Sequence, residues 1–111
     1  VLNELARAAL LCNDATLRRG ESAWIVDGDP MEGAFVSFAA KAGYDVPLTR
    51  KQYPRTDEIP FDARHRFMAT LHHGHEGGAV LYLKGAPENV IGMCKRVLGA
   101  RGTEPVDINQ W

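Results

Sequence analysis

The chain of 111 residues has room for one domain and one core. Its content, 45% hydrophobic and 24% charged, is ordinary for a globular fold, and thirteen Lys/Arg against fourteen Asp/Glu leave a net charge of −1, too little to favour nucleic acid or an anionic membrane. No apolar run approaches the roughly 20 residues of a membrane-spanning helix, Val1-Leu2-Asn3-Glu4 has neither part of a secretory leader, and two cysteines, Cys12 and Cys94, fit a reducing compartment better than a disulfide framework.

Leu2, Leu5, Ala6, Ala9 and Leu10 recur at helical spacing, which predicts an amphipathic helix over 2–12 that stops at Asn13-Asp14. Arg18-Arg19-Gly20-Glu21 has the composition of a solvated turn, and Ala23-Trp24-Ile25-Val26 that of a short strand ending at Gly28. Asp29 then caps a helix, Pro30 suits its first position, and Glu32 stands where a capping box needs an acid. Met31, Ala34, Phe35, Phe38, Ala39 and Ala42 form its apolar stripe and Gly43 ends it. Residues 44–56, with Pro47 and Pro54, form a connector with space for one helical turn.

From Asp57 the period becomes two. Ile59 and Phe61 alternate with Glu58 and Pro60, and Phe67, Ala69 and Leu71 with Arg66, Met68 and Thr70. His72–Gly78 is a turn, and Ala79–Lys84 returns as the second strand of an antiparallel hairpin. Gly85-Ala86-Pro87-Glu88 opens a last helix with Val90, Ile91, Cys94, Val97 and Leu98 on one face. The order α-β-α-β-β-β-α predicts an α+β fold, an antiparallel β-sheet flanked by helices.

Gly28-Asp29-Pro30-Met31-Glu32-Gly33 has the glycine spacing of a phosphate loop, but Ala34-Phe35 replace the Lys and Ser/Thr that such a loop requires. His72, His73 and His75 lack a fourth metal ligand and fit a solvated turn. Ser22 and Ser37 lie in no nucleophile elbow, and Cys12 and Cys94 fall on apolar helix faces. The remaining candidates suit holding a nucleotide. Phe61 offers an aromatic face, Arg66 and Lys84 are cations at strand ends, Gly85 allows close backbone approach, and Glu32 can accept from an exocyclic amine. Each also has a plain structural reading: Phe61 as core, Arg66 and Lys84 as solvated, Glu32 as the end of a capping box.

Gly28–Ala34, Phe61–Met68 and Lys84-Gly85-Ala86-Pro87-Glu88 resemble, in order, three motifs of the cytoplasmic nucleotide-binding domain of P-type cation-transporting ATPases. Leu11–Ala15 resembles the segment before the first motif in the calcium- and sodium-pump-like branch, and the likeness runs from about residue 5 to residue 98. It implies a single ATP-binding domain over 1–111, a piece of a longer membrane pump. Phe61 would stack on adenine, Glu32 contact its edge, Met68 pack beside the base, Lys84 with Gly85 line the base and ribose pocket, and Arg66 reach toward the phosphates. Met31, His65 and Phe67 depart from the family's usual Thr, Arg or Lys, and polar residue. The family's Asp-Lys-Thr-Gly-Thr string and magnesium-binding aspartates are absent from these residues. The fragment would therefore bind ATP without hydrolysing it, with Mg2+ supplied at the neighbouring phosphorylation domain. Its partners would be ATP and the phosphorylation and actuator domains of the same polypeptide, at the cytoplasmic face of a membrane that this part does not touch. The alternative is an interaction or regulatory module of the same fold that has lost nucleotide binding, a reading favoured by Met31 and His65.

Overall fold

A computed structural model describes residues 1–74 and 77–110. Helix α1 (Leu2–Leu11) leads into a hairpin of β1 (Thr16–Arg19) and β2 (Trp24–Asp27), followed by α2 (Pro30–Lys41) and α3 (Val46–Gln52). Strands β3 (Arg55–Ile59), β4 (Phe67–His73) and β5 (Ala79–Gly85) form one antiparallel sheet in that order. Helix α4 (Pro87–Met93), a hairpin of β6 (Arg96–Gly99) and β7 (Gly102–Pro105), and a 3-10 turn (Ile108–Gln110) complete the chain. The fold is α+β with antiparallel sheets, as the sequence predicts.

The core lies where α1 crosses α2. Ala6, Leu10, Val36 and Ala39 are fully buried there, with Leu17, Phe38, Ala42, Tyr44 and Val46 packed around them. Both helices are rotated from their expected stripes. Leu2, Leu5 and Met31 are exposed, while α2 buries Gly33, Val36 and Ala39. Gly33 explains the rotation: a Cβ there would stand 2.5 Å from a Val26 methyl, so its bare backbone lets α2 settle against β2.

The β4 strand also turns its other face inward. Met68, Thr70 and His72 are buried, as is Ala69, whereas Phe67 and Leu71 are only half-buried. A hydroxyl and an imidazole are tolerated inside because they satisfy each other, at 2.9 Å from His72 Nε2 to Thr70 Oγ1. His72 therefore belongs to the strand and the core, not to a solvated turn. His73 Nδ1 lies 2.7 Å from Thr56 Oγ1, and His75 falls outside the described residues.

Four elements differ from expectation. Thr16–Arg19 is a strand, each residue paired across to β2, where the arginines suggested a turn. The connector holds the two-turn helix α3, because Asp45 Oδ1 accepts from Leu48 N–H and Pro47 occupies the first turn. Strand β3 spans Arg55–Ile59, which leaves Phe61 beyond its end. The last helix stops at Met93, and Val97 lies on β6, whose return from Gly99 to Gly102 makes a tight hairpin. Residues 90–98 satisfy helical spacing, yet the paired glycines that follow mark the strand turn that prevails. Cys94, the residue after α4, is exposed and not part of an apolar face.

His72 gives a pH test. The Tyr53 carbonyl can only accept, so Nδ1, 2.8 Å away, carries a proton, and in the neutral ring Nε2 accepts from the Thr70 hydroxyl. Burial pushes the imidazole below its ordinary value, against the opposing pull of the Tyr53 carbonyl, and the Arg55 charge adds to the lowering. The unfolded chain then binds more protons than the folded one below about pH 6.5. Stability from this group is present above that pH and is lost as acid is added through the folded pKa. Thermal denaturation across pH 8 to 5 should show a midpoint falling only on the acid side, with a shallower fall in His72→Gln.

Candidate functional site

The three motifs converge through specific contacts. Asp29 Oδ2 accepts from Glu32 N–H at 3.0 Å and fixes the first turn of α2. The reciprocal half of a capping box does not form, because the Glu32 carboxylate points elsewhere. Its Oε1 lies 2.9 Å from Lys84 Nζ and its Oε2 accepts from Asp14 N–H at 3.2 Å. Both side chains of the ion pair are largely buried, with Lys84 28% and Glu32 17% exposed. Lys84 Nζ also stands 5.5 Å from the centroid of the Phe35 ring, one helical turn beyond Glu32 on the same face of α2.

Across the sheet Met68 pairs with Lys84, and Phe67 with Gly85. Met68, directly opposite Lys84 in the strand register, is buried. Gly85 is required by close approach: a Cβ there would meet the Arg66 carbonyl oxygen and lie 2.7 Å from Phe67 Cα. Arg66, at φ 60°, takes a left-handed turn into β4, and its carbonyl accepts from Ala86 N–H at 2.9 Å. Asn89 Nδ2 adds a 2.7 Å bond to the His65 carbonyl. These two bonds clamp the 60–66 connector to the start of α4.

Phe61 sits in that connector with 63% of its surface exposed, so core burial does not account for it. Arg66 holds Glu88 Oε1 at 2.7 Å, an exposed pair at the mouth of the connector. The Glu88 carboxyl lies below its usual range because of its own backbone N–H and the Arg66 charge. Glu32, Met68, Lys84 and Gly85 are thus brought together, Arg66 joins through the backbone of Gly85's neighbour, and Phe61 stands on the exposed rim of the same connector.

Cys12 lies beneath this arrangement, its Sγ 3.7 Å from the Tyr82 carbonyl and 3.9 Å from that of Met68. Burial pushes its thiol above the ordinary value, which keeps it protonated and unreactive. The sequence marks Asn13-Asp14 as a helix stop and Phe35 as part of an apolar stripe, and gives none of the three a place at the site. Phe35 is legible as Glu32 plus three, whereas Asn13 reaches the Glu32 carbonyl with its side-chain amide and Asp14 reaches the carboxylate with its backbone N–H, contacts that no side-chain spacing encodes.

A groove of about 980 Å³ lies on another face of α2, lined by Leu17, Trp24, Val26, Val36, Ala40 and Val46 among others. None of the six candidate residues lines it. Its lining is mostly apolar with Lys41 and Arg50 among it, and it includes neither partner of the Glu32–Lys84 pair. No helix among the described residues is long and apolar enough to cross a membrane.

The family described as P-type ATPase, cytoplasmic domain N, matches residues 1–110, and the chain belongs to it. It is 42% identical over 98 residues, 88% of its length, to the cation-transporting ATPase pma1 of Synechocystis. It is 39% identical over 101 residues, 90% of its length, to a probable cation-transporting ATPase F of Mycobacterium tuberculosis. It is 30% identical over 110 residues, 93% of its length, to the sodium/potassium-transporting ATPase subunit alpha-2 of Gallus gallus. In each case the chain spans about 11% of the relative's own length.

Two stability measurements check the site's construction. Glu32→Gln, Lys84→Met and their double variant should give a coupling of about 1–2 kcal/mol in urea unfolding, the scale of a charge-assisted bond with partial solvent screening. Gly85→Ala should lose about 1–3 kcal/mol, because backbone rather than a flexible side-chain end opposes the added methyl.

Proposed function

We propose that the chain is the ATP-holding part of a P-type cation-transporting ATPase, gripping ATP by its adenosine end and presenting the γ-phosphate to an aspartate on a separate domain. The observation that carries this reading is the largely buried Glu32–Lys84 pair at 2.9 Å, with Met68 opposite Lys84 across the sheet and the exposed ring of Phe61 on the connector that leads into the same strand. A carboxylate has about four lone-pair sites. Two are engaged by Lys84 and Asp14, so Glu32 retains acceptors for the exocyclic amine of adenine. Phe61 supplies the stacking face, and Met68 with the Lys84 stem supplies the apolar floor. Arg66 exchanges the exposed Glu88 carboxylate for phosphate oxygens at little cost, since such surface pairs contribute about 0–1 kcal/mol.

This division of labour separates grip from chemistry. A domain that holds one end of ATP and moves it to an acceptor contributes proximity, and the acceptor and Mg2+ belong to the phosphorylation domain of the same polypeptide. Weak binding suits that role, because product must leave on each cycle. The domain then faces the cytoplasm in a parent anchored in the membrane, with the actuator domain as a further partner. Residues 1–111 act as a single unit in this reading.

Isothermal titration with ATP tests it. Phe61→Ala should weaken binding by about 1–3 kcal/mol, the worth of one stacked base. Its unfolding free energy should stay within about 0.5 kcal/mol, because the ring is exposed. Unchanged ATP affinity would refute the stacking role. A wild-type chain that ignores millimolar ATP would point to the interaction module with the same fold.

A further inference from the structure

The Glu32 carboxylate is aimed from behind, and the aiming begins at a residue outside the pocket. Asn13 is buried, with 3% of its surface exposed, at the end of α1. Its Nδ2 donates to the Ala9 carbonyl at 3.0 Å and to the Glu32 carbonyl at 2.8 Å, and its Oδ1 accepts from Ala15 N–H at 2.7 Å. One amide thus joins the last turn of α1, the first turn of α2 and the residue just before β1. The next residue, Asp14, gives its backbone N–H to Glu32 Oε2 at 3.2 Å. Glu32 is therefore held at both ends by adjacent residues, its carbonyl by the Asn13 side chain and its carboxylate by the Asp14 backbone.

The clasp is itself braced. Arg55 Nη2 donates to the Asn13 carbonyl at 2.9 Å and to the Leu11 carbonyl at 3.3 Å, and Nη1 pairs with Asp14 Oδ1 at 2.7 Å. Only a primary amide offers two donors and an acceptor without charge, so the pattern of partners explains why Asn stands here. Asp would keep the acceptor toward Ala15 and lose both donors.

We infer that Asn13 is a positioning residue for base selection: it sets the direction of the Glu32 carboxylate and thereby the preference for a base with an exocyclic amine. This rests on the proposed adenine contact of Glu32. The effect is selective. Misaligning the carboxylate weakens a ligand that donates to it and leaves a ligand with an oxygen at that position nearly untouched.

The test compares ATP with inosine triphosphate, which carries a carbonyl in place of the amine, by titration calorimetry on the whole chain. The wild type should prefer ATP, and Glu32→Gln should lose the preference. Asn13→Asp should weaken ATP about three- to tenfold, one hydrogen bond's worth, and inosine triphosphate by less than about twofold. Equal weakening of both nucleotides, or an unchanged preference in Asn13→Asp while Glu32→Gln loses it, overturns the inference and leaves the adenine contact standing. No preference in the wild type overturns the contact and the inference with it. If Asn13→Asp does not fold, the wild-type Asp14 amide resonance decides: it should shift more with ATP than with inosine triphosphate, and equal shifts contradict the claim.

Discussion

The candidate site is organised around one ion pair, Glu32 with Lys84, drawn from a helix start and a strand end fifty-two residues apart in sequence. Taking two charges largely out of water is costly unless each finds further partners. Here the carboxylate takes a second bond from the Asp14 backbone, and the ammonium lies near the Phe35 ring face. The pair constrains its surroundings in turn. Lys84 must sit at the end of β5, opposite Met68, for its amine to reach α2, and Gly85 must follow it to let the Arg66 backbone pass. Three short motifs, far apart in the chain, become one surface because of this requirement.

Membership of the P-type ATPase cytoplasmic N domain family gives that surface a context. A domain that only carries ATP needs an apolar seat for the base, a fixed acceptor at its edge and cations toward its open end, and it needs no nucleophile. The chemistry of the residues suits such a task. The buried thiol of Cys12 is held protonated, and Arg66 meets the Glu88 carboxylate in a solvent-exposed pair. The apolar groove beside Trp24 lies on a different face of α2 and is lined by none of the six candidate residues.

Much of this was legible in the sequence where a local signal had one meaning. The Asp29-Pro30 start of α2, the β4–β5 hairpin and the α+β class followed from caps, period and turn residues. Where two signals competed, spacing misled. Val90 to Leu98 fits a helix by period, and the chain bends into a hairpin instead because glycines at 99 and 102 fit a tight return. Alternation alone does not say which face of β4 turns inward: Thr70 and His72 look polar in isolation and are accepted inside once bonded to each other and to the Tyr53 carbonyl. The six site residues were individually ambiguous. What the sequence lacks is the third dimension of the pairing: that the Glu32 carboxylate turns to Lys84 instead of its own helix start, and that the Asn13 side-chain amide and the Asp14 backbone N–H hold it there.

The most direct test is to map ATP onto the chain by two-dimensional NMR of labelled protein. The account predicts that the largest shift changes cluster on Glu32, Phe61, Met68, Lys84 and Gly85, with smaller changes at Arg66. Shifts confined to the groove around Trp24 and Val46, or no shifts at millimolar ATP in a folded chain, would contradict it.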